Sequence, residues 1–264
     1  MRRRTAPWLV AAWLLAWPAW AGELRVATSG TFTAAYLELR PALERLTRDT
    51  VVTAATSVGA GADSIPNRLA RGEPMDVVIV ADTVLEQLIR DGLVLADSRV
   101  DLARSTIGIA VRAGAARPDI STVDALRQTL LRASSIAYSA SVSGQYVAGE
   151  LFERLGIAAQ VAPKSRRIET ERVGNVVARG EAEIGFQQIS ELKPIAGIEI
   201  VGPLPDAVQR ISLFSAGVVA RSTHQAAARA LIAYLASAEA APTVGATGLE
   251  PLVRPPAAPA AAGR

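Results

Sequence analysis

The chain has no cysteine, one histidine and two lysines among its 264 residues, and only a twentieth of it is aromatic. The lack of cysteine excludes a disulfide framework, an iron–sulfur cluster, a zinc ribbon and a thiol nucleophile. With His224 as the sole histidine, a histidine metal site or a Ser-His-Asp triad lacks a second feature, and a surface or capping role is expected. The glycine–lysine run that cradles nucleotide phosphates is missing, and Gly59-Ala60-Gly61 lacks the third glycine of a dinucleotide fingerprint. No cofactor is expected. Ala, Val, Leu and Ile must build the core, and an anion would meet arginine forks rather than ammonium points.

The basic balance comes from one end of the chain. The formal net charge is +3, but Met1-Arg2-Arg3-Arg4, the uncharged stretch Pro7 to Trp20 and the closing Ala19-Trp20-Ala21 form the pattern of a secretory signal peptide over residues 1–21. That stretch is too short to cross a ~30 Å hydrocarbon core comfortably. Its removal takes three of the 28 basic residues and none of the 25 acidic ones, leaving a neutral chain without tryptophan. The expected location is the periplasm, with no nucleic-acid partner and no stable membrane insertion after cleavage.

Strands and helices alternate through the rest. Leu24 to Thr28 reads as a strand, followed by a helix with Tyr36, Leu39, Leu43 and Leu46 on one face. Val51 to Ala55 and Asp76 to Val80 are further strands. Asp63 or Ser64 can cap a helix carrying Pro66 in its first turn, and Asp82 can cap the helix running to Arg90. This β-α-β-α-β-α order implies a parallel sheet with right-handed crossovers. A second block holds strands at 106–111, 136–138 and 184–187, with helices starting near Thr122 and Ser143 and one from Thr170 to Arg179. Ile211 to Val219 is apolar enough to run between lobes, and a last helix spans Gln225 to Leu235. Three strand ends lead through hydroxyl- and glycine-rich turns into helices, at Ser29-Gly30-Thr31, Gly59 to Ser64 and Ser139 to Gly144. Helix starts at the carboxyl ends of strands are where open α/β sheets bind anions.

The motif order resembles the type II periplasmic binding fold of the molybdate-binding protein family. Arg71-Gly72-Glu73-Pro74-Met75-Asp76-Val77, Ser143-Gly144-Gln145-Tyr146 and Arg179-Gly180-Glu181-Ala182-Glu183-Ile184-Gly185 carry the likeness. It implies an α/β chain of two lobes with mixed, mostly parallel sheets and a ligand cleft between them. Residues 22–104 with 218–250 would form one lobe, 105–217 the other, and 251–264 a disordered tail. The ligand positions depart from the molybdate pattern: Ala62-Asp63 stands where that family has paired serines, and Gln188 where it has a tyrosine. Ile65 to Arg71, Asp97 to Leu102 and above all Gly185-Phe186-Gln187-Gln188-Ile189-Ser190-Glu191-Leu192-Lys193 resemble the bacterial periplasmic aconitate isomerases instead.

That second resemblance implies cofactor-independent interconversion of trans- and cis-aconitate, a tricarboxylate. The alternative is the substrate-binding component of an ABC importer for molybdate, tungstate or an organic acid, which would add a permease as partner. Moving the double bond needs carboxylate clamps, stabilisation of a delocalised anion and a positioned acid/base. The expected clamps are Ser29, Gly30, Thr31, Arg68, Ser139, Ser143, Gly144 and Arg166, with Gln187 and Gln188 donating amide hydrogen bonds. Glu171 is the expected base, with Lys164 and Tyr146 as candidates for the acid.

Overall fold

The computed structural model describes residues 22–55 and 61–253. The expected signal peptide, Gly59-Ala60 of the glycine-rich turn and most of the expected tail lie outside them. The first part runs β1 (Glu23–Thr28), α1 (Gly30–Thr47), β2 (Thr50–Ala55), α2 (Ile65–Ala70), β3 (Val77–Ala81), α3 (Asp82–Arg90) and β4 (Val100–Ser105). The middle follows with β5 (Ile107–Arg112), α4 (Val123–Arg132), β6 (Ile136–Ser139) and α5 (Val142–Tyr146). From α5 the helix continues through a π turn (Val147–Leu151) into α6 (Phe152–Arg154). Next come α7 (Ala158–Val161), β7 (Ser165–Ile168), α8 (Val173–Ala178), β8 (Ile184–Gln188), α9 (Ile189–Leu192) and β9 (Ile198–Pro203). The chain closes with β10 (Ser212–Val218), α10 (Gln225–Leu235), α11 (Ala241–Ala246) and β11 (Glu250–Pro251).

Two sheets result. The first has six strands in the order β11-β4-β10-β3-β1-β2, and the second five in the order β7-β6-β8-β5-β9. Each contains a parallel trio, β3-β1-β2 and β7-β6-β8, extended by antiparallel strands. Alternation along the buried strands explains why helices cover both faces. In the first sheet Leu24, Val26, Val77 and Ile79 join α1 and α10 in one apolar cluster, while Ala27, Val78 and Val80 face Leu69 of α2 and Leu85 of α3 in another. The second sheet repeats this, with Ile109, Ile136 and Phe186 against α4 to α7, and Ala137 against Val173 and Val177 of α8.

Several local expectations shift. Leu46, one residue before the end of α1, is half exposed rather than part of the buried face. The helix expected from Thr170 begins at Val173, where Arg172 takes the N-cap position. Ser212 to Val218 does not run between the lobes. It pairs with β3 and β4 inside the first sheet, so the return crossover falls at residues 209–211, ahead of the boundary expected at 217. Pro251 and Leu252, assigned to the tail, bond along β4: Pro251 pairs with Ala103, and the Leu252 amide donates to the Leu102 carbonyl.

Candidate active site

A cavity of about 330 Å³ lies between the two sheets, at the carboxyl ends of their parallel strands. One wall is made by the starts of α1 (Ser29, Gly30, Thr31) and α2 (Ser64 to Asn67) with the end of β3 (Val80, Ala81). The other is made by the turn from β6 into α5 (Ala140 to Ser143) and by Gln188 and Glu191, while Phe214 of β10, paired with Ala81, belongs to the first wall. The volume lies at the low end for small-molecule sites.

The sequence builds this opening from short polar turns. β1 ends at Thr28, and Ser29 adopts the extended conformation of an N-cap residue without capping its helix through the side chain. The Ser29 hydroxyl is shut off from solvent and has no hydrogen-bond partner among the described residues. In the opposite wall, Ser139 Oγ lies 2.7 Å from Ser141 Oγ and 3.3 Å from Ser143 Oγ, with Ser141 and Ser143 3.2 Å apart. Gly144 makes this cluster sterically possible: a Cβ there would lie 1.6 Å from the Ser139 carbonyl oxygen. Its place in the site is therefore close backbone approach.

The decisive side chain is Glu191, on α9 just past the end of β8. It is 2% exposed, lines the cavity, and its Oε2 has no hydrogen-bond partner among the described residues. Burial pushes its carboxyl up to about 7, against the smaller opposing pull of the Arg172 guanidinium and of the Gln187 and Thr31 side chains. Buried polar atoms left unpaired are uncommon in folded proteins, and Ser29 and Glu191 both line one opening. A carboxyl group near 7 in a cleft wall can accept and return a proton at neutral pH. The readable signal was a lone glutamate directly beyond the end of a buried strand.

The residues expected in the site divide. Ser29, Gly30, Thr31, Ser143 and Gln188 line the cavity, with Ser139 and Gly144 immediately behind. Gln187 does not, because neighbours on a strand point to opposite faces; its Oε1 accepts from the Val173 amide at 2.9 Å. Arg68 turns away from the cavity that Asn67 reaches, and donates to Glu73 at 2.6 Å. Arg166 sits on the edge strand β7, more than half exposed, 3.3 Å from Glu181. Three expected catalysts also lie elsewhere. Both Glu171 oxygens accept from Arg179, at 2.9 and 2.7 Å, and these hydrogen bonds hold its carboxyl below the usual range. Lys164 Nζ donates to the carbonyls of Leu131 and Ala133 at the end of α4. Tyr146 is buried in the second lobe's core, and its hydroxyl donates to the Val208 carbonyl at 2.7 Å. In each case a nearer partner captured the side chain. Asp63 is exposed and off the cavity wall, whereas Ser64 lines it.

A smaller cavity at the far side of the first sheet contains His224 and Asp76. Asp76 accepts from Ser222 Oγ at 2.6 Å and from the Arg25 amide at 2.7 Å, and His224 Nδ1 lies 3.4 Å away. The serine donates to the aspartate rather than to the ring, so this is a staple at the amino ends of β1 and β3 and not a nucleophile with its base. Among the described residues no group of three or more His, Asp or Glu is placed to hold a metal, and no helix is long and apolar enough to cross a membrane.

This architecture, two α/β sheets closing on one cavity, has many relatives. A family model for bacterial extracellular solute-binding proteins matches residues 24–250. The chain belongs to that family. It is 48% identical over 234 residues to an aconitate isomerase from Pseudomonas sp., covering 88% of this chain and 89% of that protein. The periplasmic molybdate-binding protein of Azotobacter vinelandii superposes with a TM-score of 0.69 at 20% identity, covering 88% of this chain and all of that one. A sulfate-binding protein of Mycobacterium tuberculosis gives 0.68 at 17% identity, with 87% of each chain covered. These two likenesses concern the fold; the first relative shares the sequence as well.

Proposed function

We propose that this protein is an isomerase interconverting trans- and cis-aconitate, with Glu191 as the group that takes and returns the proton. The observation that carries the reading is Glu191 itself: a buried carboxyl near neutrality in the wall of a cleft, with one oxygen that has no partner among the described residues. A protein that only holds a doubly charged oxoanion gains nothing from a carboxylate there, because like charges repel in a dry site. The 48% identical aconitate isomerase supports the same reading.

In this scheme the Glu191 carboxylate removes a proton from the methylene of trans-aconitate. The C–H electron pair becomes part of an allyl anion whose two ends each carry a carboxylate. Protonation at the opposite end moves the double bond, so atoms and charge balance and no electrons leave the molecule. Among the described residues the cavity wall holds no arginine or lysine. The substrate's carboxylates would be met by the hydroxyls of Ser29, Ser141 and Ser143 and by the first amides of the 18-residue helix α1. Such fixed donors act most strongly once water is excluded. The N-terminal basic and apolar pattern supports export to the periplasm, where the two lobes would close on the substrate.

A second reading, delivery of an anion to an importer, is favoured by the fold it shares with molybdate- and sulfate-binding proteins. Incubation of purified protein with trans-aconitate, followed by chromatography for cis-aconitate, separates the two. Turnover that is lost in Glu191→Gln supports the isomerase. No turnover, together with thermal stabilisation by molybdate, would replace it with transport.

A further inference from the structure

The two passages of the chain between the sheets run side by side, and one side chain from the far sheet bridges them. β4 ends at Ser105 and β10 begins at Ser212, and these residues pair across the first sheet. Gln188, the last residue of β8 in the second sheet, inserts its carboxamide between them: Ser105 Oγ donates to Gln188 Oε1 at 2.7 Å, and Gln188 Nε2 donates to Ser212 Oγ at 3.0 Å. All three side chains are buried. A second glutamine fastens the crossovers on the other side. Gln209 Oε1 accepts from the Ile107 amide at 3.0 Å, and Gln209 Nε2 donates to the Ile107 carbonyl at 3.0 Å. The crossovers are thus held as one ribbon, and any rotation of one sheet against the other must turn about it.

Gln188 also lines the cavity. Its carboxamide has two N–H groups, and Ser212 takes one of them. The second has no acceptor among the described residues, and a carboxylate in the cleft would supply one. A leucine would fill the same space; only an amide can hold a hydroxyl on each crossover and still offer a donor.

We propose that Gln188 is a positioning residue that links occupancy of the cleft to rotation of the two sheets about the paired crossovers. The link rests on the cleft being the substrate site. An acceptor on the free N–H fixes the orientation of the carboxamide, and the carboxamide fixes Ser105 and Ser212 relative to β8. Hydrogen bonds buried this completely are costly to leave unmade, so the three groups move as a unit.

The test is the double variant Ser105→Ala with Ser212→Ala, since neither serine lines the cavity and the Gln188 amide stays in place. Small-angle scattering with and without propane-1,2,3-tricarboxylate, which has no double bond to move, reads closure, and steady-state kinetics read turnover. The wild type should contract on binding. The double variant should bind within about threefold, contract less than half as much and lose about tenfold in kcat with KM little changed. Each single variant keeps one bond and reads the same quantities should the double variant fold poorly. Full contraction and wild-type kcat in the variants would overturn the link, as would a wild type that binds without contracting. If the tricarboxylate does not bind at all, the aconitate reading falls by itself, and molybdate in the same scattering comparison decides the link.

Discussion

Replacing Glu191 by glutamine should make the protein more stable and nearly inactive, and the size of the first effect should depend on pH. Folding carries this carboxyl from 4.5 in the unfolded chain to about 7 in the cavity wall. Between those values the folded protein binds the proton that the unfolded chain has released. The stability penalty is therefore absent below pH 4.5, grows through the interval and is complete above pH 7. At pH 8 it amounts to about 3 kcal/mol, from roughly 1.4 kcal/mol per pH unit. For a domain of this size that corresponds to a rise in Tm of roughly 6–12 °C in Glu191→Gln at pH 8. At pH 4.5 the two melting curves should nearly coincide. Loss of a positioned base should lower kcat by about 10²–10⁴. Calorimetry across pH 4.5–8 on wild type and variant, with turnover measured on the same samples, checks both. A Tm difference that does not change with pH, or a glutamine variant that turns over normally, would refute the reasoning.

The remaining predictions concern residues around that group. Arg172→Gln removes the charge that draws the Glu191 proton off, so the acid limb of the pH–rate profile should move to higher pH; an unmoved limb would show that the two groups do not communicate. Ser29→Ala should raise KM for trans-aconitate by about tenfold with a smaller change in Tm, because the hydroxyl has no partner to lose among the described residues. Gly144→Ala should lower stability by about 3 kcal/mol or more in denaturant titration, since its Cβ would overlap the Ser139 carbonyl. Glu171→Gln, on an exposed pair with Arg179, should leave turnover within about twofold in the chromatographic assay.

Part of the cleft is legible in the sequence. Ser29-Gly30-Thr31 and Ser139 to Gly144 each follow a buried strand and open a helix, and that local pattern was enough to place them on the cleft. The Thr122 N-cap is also visible locally, and its hydroxyl accepts from the Ala125 amide at 3.1 Å. The long charged side chains were not predictable in this way. Arg68, Arg166, Glu171 and Lys164 all lie near the right elements in sequence, yet each reaches several ångströms to a partner set by rotation about its helix or strand. Glu73, Glu181, Arg179 and the end of α4 supply those partners.

The sequence alone therefore determined what short-range periodicity and turn chemistry can carry: an α/β chain in two blocks, helices opening at strand ends, and polar turns suited to an anion. Only the tertiary structure decided which ionisable group the cleft contains. Burial of Glu191 depends on α9 packing against the start of α1, two segments 160 residues apart in the chain. No local pattern reports that distance, and the proton affinity of a carboxyl group follows from the water it has lost.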